Sequence, residues 1–253
     1  MPADLLPEFA LIPAGDFVMG SDDADADEKP AHRVHLDDFL IAVHPVTNAE
    51  YERFVRETGH RAPAIYELPL VVTAGGPDRE RTFRASGQPY VWLDSEAPKD
   101  RLNHPVTLVR WEDSIAYCAW LSGATGRIVR LPSEAEWEKA ARGADGREYP
   151  WGNDADCARG NWGSFEGEGP CAGKNPGRPV PVGQYPTGAS PYGVLDLGGN
   201  VWEWVADKYD EDPKRRVVRG GSCCSYFVGP RAPNRNAWAP QHRDADLGFR
   251  CAR

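Results

Sequence analysis

"RLPSEAEWEKAARG", residues 130–143, reads as a helix with both ends marked. Ser133 followed three residues later by Glu136 forms a capping box, and Gly143 supplies the C-terminal stop. Working outward, TNAEYERFVRETG (47–59) repeats the pattern, with Thr47 as cap, Glu50 completing the box and Gly59 as terminator. HPVTLVRW (104–111) reads as a strand entering a helix over EDSIAYCAWLSGATG (112–126). FALIPAGDFVMGS (9–21) predicts strand, turn and strand, and HRVHLDDFLIAVHPVT (32–47) alternates as strands do. DDADADEKP (22–30) is a charged loop between them. Residues 60–103 read as a long excursion with short strands, 144–195 as loop-rich, and 193–253 as short strands joined by turns. No shift in composition marks a linker. The expectation is one α+β domain over 1–253.

The chain's 253 residues include 26 Gly, 23 Pro and 9 Trp, which suits many turns and short elements around an aromatic core. The formal net charge of −9 argues against a non-specific nucleic-acid binder, whose affinity comes from basic side chains on phosphates. No apolar run approaches the roughly 18 residues of a membrane span. MPADLLPEFALIPAG lacks the basic start and apolar core of a secretory signal. Six cysteines in a chain of this length do not make a disulfide scaffold, and the compartment stays open.

RGGSCCSYFVGPR (219–231) places two cysteines side by side after a Gly-Gly pair. In a strand, Cys223 and Cys224 would point to opposite faces and could not close on one metal. A turn here would bring the sulfurs together. The plainer expectation is one buried and one exposed unpaired thiol. His32 and His35 form an H-x-x-H in a strand without a third ligand, which favours a solvated role over zinc. Nucleophile-elbow, P-loop and dinucleotide fingerprints do not occur.

IPAGDFVMGS, HPVTNAEYERFV, LPSEAEWEKAARG, YPWGN, YGVLDLGGNVWEW, RGGS and LGFRC together resemble the formylglycine-generating enzyme (sulfatase-modifying factor) superfamily, from about residue 9 to 251. The resemblance implies an irregular C-type-lectin-like fold, poor in regular secondary structure. Superfamily members include copper oxidases, sulfoxide synthases and binding proteins. The oxidases carry two cysteines after the GGS turn; counted from Ser222, those positions hold Ser225 and Pro230 here. Copper is therefore not expected. The resemblance relates Cys118 and Cys251 to positions bridged in some relatives, which leaves a disulfide and a reduced pair both open. Cys157 and Cys171, flanking a Gly-rich loop, could also pair. One structural calcium is implied at Asp196, Gly199, Val201 and Glu203. A second cation site, through Asn161 and the Trp162 carbonyl, is expected to be weak or absent, because Lys174 and Asn175 stand where an acid belongs.

Residues 216–250 also resemble the variable region of proteins diversified by retroelements, which display a ligand-binding surface on this fold. That gives a candidate ligand-binding set of Cys223, Cys224, Ser225, Tyr226, Phe227, Val228, Asn236, Trp238, His242, Asp244 and Asp246. Residues 223–229 and 236–246 are expected to form one exposed patch, its backbone held by Arg219, Arg231, Arg235, Arg243 and Arg250. The function implied is non-catalytic binding of a protein or small-molecule ligand. The alternative is a copper- or iron-dependent oxidase with a non-standard site.

Overall fold

The computed structural model describes residues 5–66, 68, 70–164, 168–212, 214–225 and 229–253. The chain is α+β. Strands β1 (Phe9–Ile12), β2 (Gly15–Met19), β3 (His32–Leu36) and β4 (Phe39–Ala42) come first, followed by helices α1 (Asn48–Thr58), α2 (Leu70–Thr73), α3 (Gly76–Gly87), α4 (Trp111–Thr125) and α5 (Glu134–Arg142). Strands β5 (Trp202–Lys208), β6 (Arg216–Arg219), β7 (Arg235–Trp238) and β8 (Leu247–Phe249) close the chain. β1 pairs with β4, and β2 with β3, as two antiparallel ribbons. The remaining strands form a sheet of order β7-β6-β5-β8, in which β5 and β8 run parallel. Between α5 and β5, the described residues of 143–201 form a long irregular stretch, in keeping with the Gly and Pro content.

The capping boxes at Thr47–Glu50 and Ser133–Glu136 form as the sequence indicates. Two readings are corrected. Residues 104–111 are extended but make only an isolated bridge, Thr47 to Pro105, because Leu108 takes a φ of 59° and breaks the strand. Their N–H groups instead serve loops: Leu108 donates to Asp244 O and Val106 to Val46 O. Residues 60–103 contain the helices α2 and α3 where short strands were expected. Pro77 sits in the first turn of α3, where its missing N–H costs nothing, so Gly-Gly-Pro-Asp marks a helix start rather than a loop.

Two apolar clusters make the core. One gathers Tyr51, Phe54, Tyr117, Trp202, Trp204 and Phe249 between α1, α4 and the sheet. Tyr51 and Tyr117 stack at 5.7 Å, and Phe249 meets both edge-on. The other packs Trp137, Ala140 and Ala141 of α5 against Ile12, Ile41, Leu197, Val205 and Val217. Between α5 and the sheet lies a buried ionic layer. Arg219, fully buried, donates to Glu134 (3.1 Å), Glu138 (2.6 Å) and the carbonyls of Pro233 and Ala232. Arg142 and Arg235 complete it through Glu138 and Glu134. Burial of this many charges is tolerable only because each is paired and hydrogen-bonded.

The remaining framework arginines are fixed in the same way. Arg231 bonds Glu28 and Glu148, Arg243 faces Asp113, and Arg250 forks onto Glu203. Cys157 and Cys171 form a disulfide. Cys118 and Cys251 are free thiols whose sulfurs lie 3.9 Å apart in the core.

Candidate ligand cavity and thiol pair

After β6 the chain turns sharply. Gly220 and Gly221 have φ of 93° and 69°, in the left-handed region that glycine favours. A Cβ on Gly221 would lie 2.3 Å from Gly229 O, so no other residue fits the crossing. Of the two shapes the sequence left open for 219–231, the structure takes the turn: the strand ends at Arg219 and a compact turn follows. Ser225 N–H donates to Ser222 O, Ser222 N–H to Ser225 Oγ (2.9 Å), and Cys224 N–H to Ser222 Oγ. The turn is tied down through its backbone. Cys223 N–H donates to Asn200 O, while Ser164 and Gly163 N–H donate to the carbonyls of Cys223 and Ser225.

The turn brings the two sulfurs together, and both cysteines are free thiols, one buried as expected and the other half-buried rather than exposed. The Cys223 and Cys224 sulfurs lie 3.4 Å apart and face the same side. Cys223 is buried and Cys224 half-buried, its thiol 3.5 Å from Gly177 O. The hydrogen bond to Cys224, then burial, push the Cys223 thiol well above its ordinary range. Beside them, burial and then the charge of Asp244 push the Asp246 carboxyl up to about 7, although it accepts from the Ser222 hydroxyl.

The sulfurs and Asp246 open onto a cavity of about 560 Å³. Its C-terminal wall is Cys223, Cys224, His242, Asp244, Ala245 and Asp246. The facing wall is Val72 of α2, Arg79, Thr82, Phe83 and Ser86 of α3, and Tyr90, whose hydroxyl burial pushes up to about 12. Pro176, Gly177, Arg178 and Pro179 form the third side. The volume is that of a site for a drug-sized molecule or a few residues of peptide.

Five of the residues expected to bind ligand, Cys223, Cys224, His242, Asp244 and Asp246, thus converge on one cavity. Ser225 is spent inside the turn. Trp238 packs on Trp202 and Trp204, with ring centroids 5.9 and 6.4 Å away, and Asn236 is exposed on β7. Tyr226, Phe227 and Val228 lie outside the described residues. The exposed patch is corrected to a concave wall: among the described residues of 223–229 and 236–246, only Asn236 and Gln241 are exposed. The reason is that backbone bonds such as Leu108 N–H to Asp244 O and Trp111 N–H to Pro240 O hold this segment inward. The α3 wall was missed, because a helix with one large apolar residue carries no apolar period.

The residues implied for calcium lie elsewhere, on the loop that leads into β5 and, for Glu203, in β5 itself. Asp196 takes a φ of 59°, and its Oδ2 accepts from Gly183 N–H at 2.7 Å. Burial pushes its carboxyl up to about 6. Glu203 is fully buried, with Arg250 Nε and an Arg250 terminal nitrogen at 2.7 Å from its two oxygens and Trp137 Nε1 also at 2.7 Å. Gly199 O accepts from Val201 N–H. Buried Glu203 and half-buried Asp196 against one guanidinium leave a negative charge that a cation would match, although a cation would have to share Glu203 with Arg250. At the second position, the Asn175 amide donates to Gly160 O and Trp162 O, both at 2.9 Å, doing what a cation would do there. Asn161 Oδ1 is left buried without a donor.

The seven matched strings, the short-strand fold and the left-handed Gly-Gly turn agree with a comparison over nearly the whole chain. The sulfatase-modifying factor enzyme 1-like domain matches residues 2–253. The chain belongs to the formylglycine-generating enzyme family. It is 35% identical to the inactive Cα-formylglycine-generating enzyme 2 of Bos taurus, over 95% of this chain and 86% of that protein. It is 33% identical to the formylglycine-generating enzyme of Thermomonospora curvata, over 99% of this chain and 95% of that one. Among solved structures, PvdO from Pseudomonas aeruginosa superposes with a TM-score of 0.77 at 28% identity, covering 99% of this chain and 95% of PvdO. The Treponema denticola variable protein 1 shares the fold at a TM-score of 0.65 and 23% identity, over 96% and 94% of the two chains. The relatives thus include a formylglycine-generating enzyme and one named as inactive, and the cavity's own residues must decide for this chain.

Proposed function

We propose that this chain is a ligand-binding member of the family, that it takes its ligand in the cavity beneath the Cys223–Cys224 turn, and that it does not generate formylglycine. The observation that carries the reading is the convergence of Cys223, Cys224, His242, Asp244 and Asp246 on one cavity of about 560 Å³. Serine and proline at 225 and 230 supply no thiolate, so the two-thiol copper chemistry of the family's oxidases has no ligands at those positions. Val72, Phe83, Tyr90, Pro176 and Pro179 favour an apolar body. Arg79 and Arg178, without an ion-pair partner among the described residues, favour an anionic group on it. The ligand class is a small, partly apolar carboxylate, free or at the end of a peptide.

Binding is tested with a set of aromatic and aliphatic carboxylates by calorimetry. Arg178→Glu should weaken a hit at least tenfold. If no member of the set perturbs the cavity residues, the reading fails. A cysteine-containing sulfatase-type peptide, incubated with copper and oxygen, should keep its thiol mass. Turnover would refute the non-catalytic part.

The region 216–250 also suits variation. Its arginines are pinned to the rest of the fold, while Ser225, Ala237, Ala239 and Asp244 lie outside the two apolar clusters. Joint substitution of Ala237, Ala239 and Asp244 should leave folding intact while changing ligand preference; a chain that no longer folds would remove the variable reading. The calcium at Asp196, Gly199, Val201 and Glu203 is proposed as a structural ion that offsets the unmatched buried charge.

A further inference from the structure

Consecutive cysteines have two fates when their sulfurs meet. Closing to a disulfide is opposed by geometry. Neighbouring Cα atoms across a trans peptide are about 3.8 Å apart, below the ~4.4–6.8 Å that disulfides span without strain. Chelation is not opposed. A tetrahedral zinc ion with bonds of ~2.3 Å holds two sulfurs about 3.8 Å apart, only a few tenths of an ångström wider than the 3.4 Å between Cys223 and Cys224. A third donor stands ready, since one ligand atom from each of Cys223, Cys224 and Asp246 all lie within 4.8 Å of one another. Among the described residues, this is the group of three such side chains close enough to share an ion. All three line the cavity.

We propose that Cys223, Cys224 and Asp246 form a zinc site in the cavity wall, two thiolates and one carboxylate, with the fourth position open to the cavity. Binding removes one proton from each thiol, and any proton carried by Asp246, and releases them to solvent, so the ion gains two sulfur bonds and one carboxylate bond and no electron moves. Three protein ligands and an open position are the arrangement of zinc sites that engage a ligand rather than merely brace a fold. The carboxylate of the proposed ligand would be the natural fourth donor. The ion's place rests on the proposed ligand cavity, but its ligands do not include Arg79 or Arg178.

The test titrates reduced, metal-free protein with Zn²⁺ in competition with a chromophoric chelator. One ion per chain with a dissociation constant below ~1 μM is expected. Cys224→Ser, at a half-buried position that should tolerate it, should weaken binding at least ~100-fold, and Asp246→Asn at least ~10-fold. Co²⁺ in place of zinc should show thiolate-to-metal charge-transfer absorption that is lost in Cys224→Ser and unchanged in Cys118→Ser. Absence of tight zinc would overturn the site. So would zinc binding indifferent to Cys224→Ser but lost in Cys118→Ser, which would place the ion at the Cys118–Cys251 pair. Binding of Cu⁺ with no binding of Zn²⁺ would overturn the choice of ion. Arg178→Glu separates the two readings: it should weaken carboxylate binding at least tenfold while zinc affinity stays within threefold.

Discussion

Arg219→Ala should be among the most damaging single substitutions in this chain. The side chain is fully buried, and its guanidinium meets two carboxylates and two carbonyls. Truncation removes one positive charge and leaves Glu134 with Arg235 alone and Glu138 with Arg142 alone. It also strips the donors from Ala232 O and Pro233 O, in the turn that leads from the cavity to β7. Breaking a buried pair by removing one partner costs about 3–5 kcal/mol. The surviving arginines place the cost near the lower end. For a chain of this size, each kcal/mol moves the melting temperature about 2–4 °C, so a loss of roughly 6–12 °C is expected. Urea unfolding followed by fluorescence of the buried tryptophans measures the change. Arg219→Lys should recover part of it, because a lysine keeps the charge but not the fork. A loss under ~1 kcal/mol for Arg219→Ala would refute the view that this ionic layer fixes the C-terminal frame.

For a calcium-loaded preparation, chelation should lower the melting temperature by mass action, and Asp196→Asn should remove that sensitivity; an unchanged melting curve counts against the ion. Reducing the Cys157–Cys171 bridge, which closes a loop of 14 residues in sequence separation, should cost about 3 kcal/mol in denaturant melts. Burial works to raise the Asp113 carboxyl, but hydrogen bonds from His60 and Arg110 outweigh it and hold the group well below its usual 3.8. A depressed carboxylate stabilises the fold above its unfolded pKa and loses that contribution as pH falls. Asp113→Asn should therefore cost stability at pH 7, with the gap from the parent narrowing progressively below about pH 4 in pH-dependent urea melts. A gap independent of pH would show that the ion cluster is not its source.

Three helices were legible because their ends are written in side chains: Thr47–Glu50 with Gly59, Ser133–Glu136 with Gly143, and Gly126 closing α4. α3 was not, because GPDRERTFRASG puts one large apolar residue among polar and charged ones and so shows no apolar period, although Arg84–Glu80 and Arg81–Asp78 pair along it. The strand reading at 104–111 failed, and the shape of 219–231 stayed open between strand and turn, for one reason. β-like composition says nothing about a single residue forced to positive φ, as at Leu108, or about a backbone crossing that admits only glycine, as at Gly221. The C-terminal wall of the cavity could be named from sequence because the family's motifs bracket it. The Arg79 and Arg178 walls come from segments those motifs do not mark.

The way the thiol-bearing turn is fastened explains how one family can hold different chemistry at one place. Its anchors are main-chain bonds: Cys223 N–H to Asn200 O, Ser164 N–H to Cys223 O and Gly163 N–H to Ser225 O. None depends on the side chain of residue 224, and the glycines that set the turn lie before it. Its flanks are fixed by Arg219 on one side and, beyond β8, by Arg250 on Glu203. A turn held by backbone between pinned ends can exchange Sγ for Oγ or a methyl group at low cost to folding, while the cavity in front of it changes from metal-binding to inert. The fold therefore sets where the reactive atoms stand, and residues 223–225 set what they are. Here those residues put two sulfurs side by side at Cys223 and Cys224, and a hydroxyl at Ser225 where the family's oxidases carry a thiol.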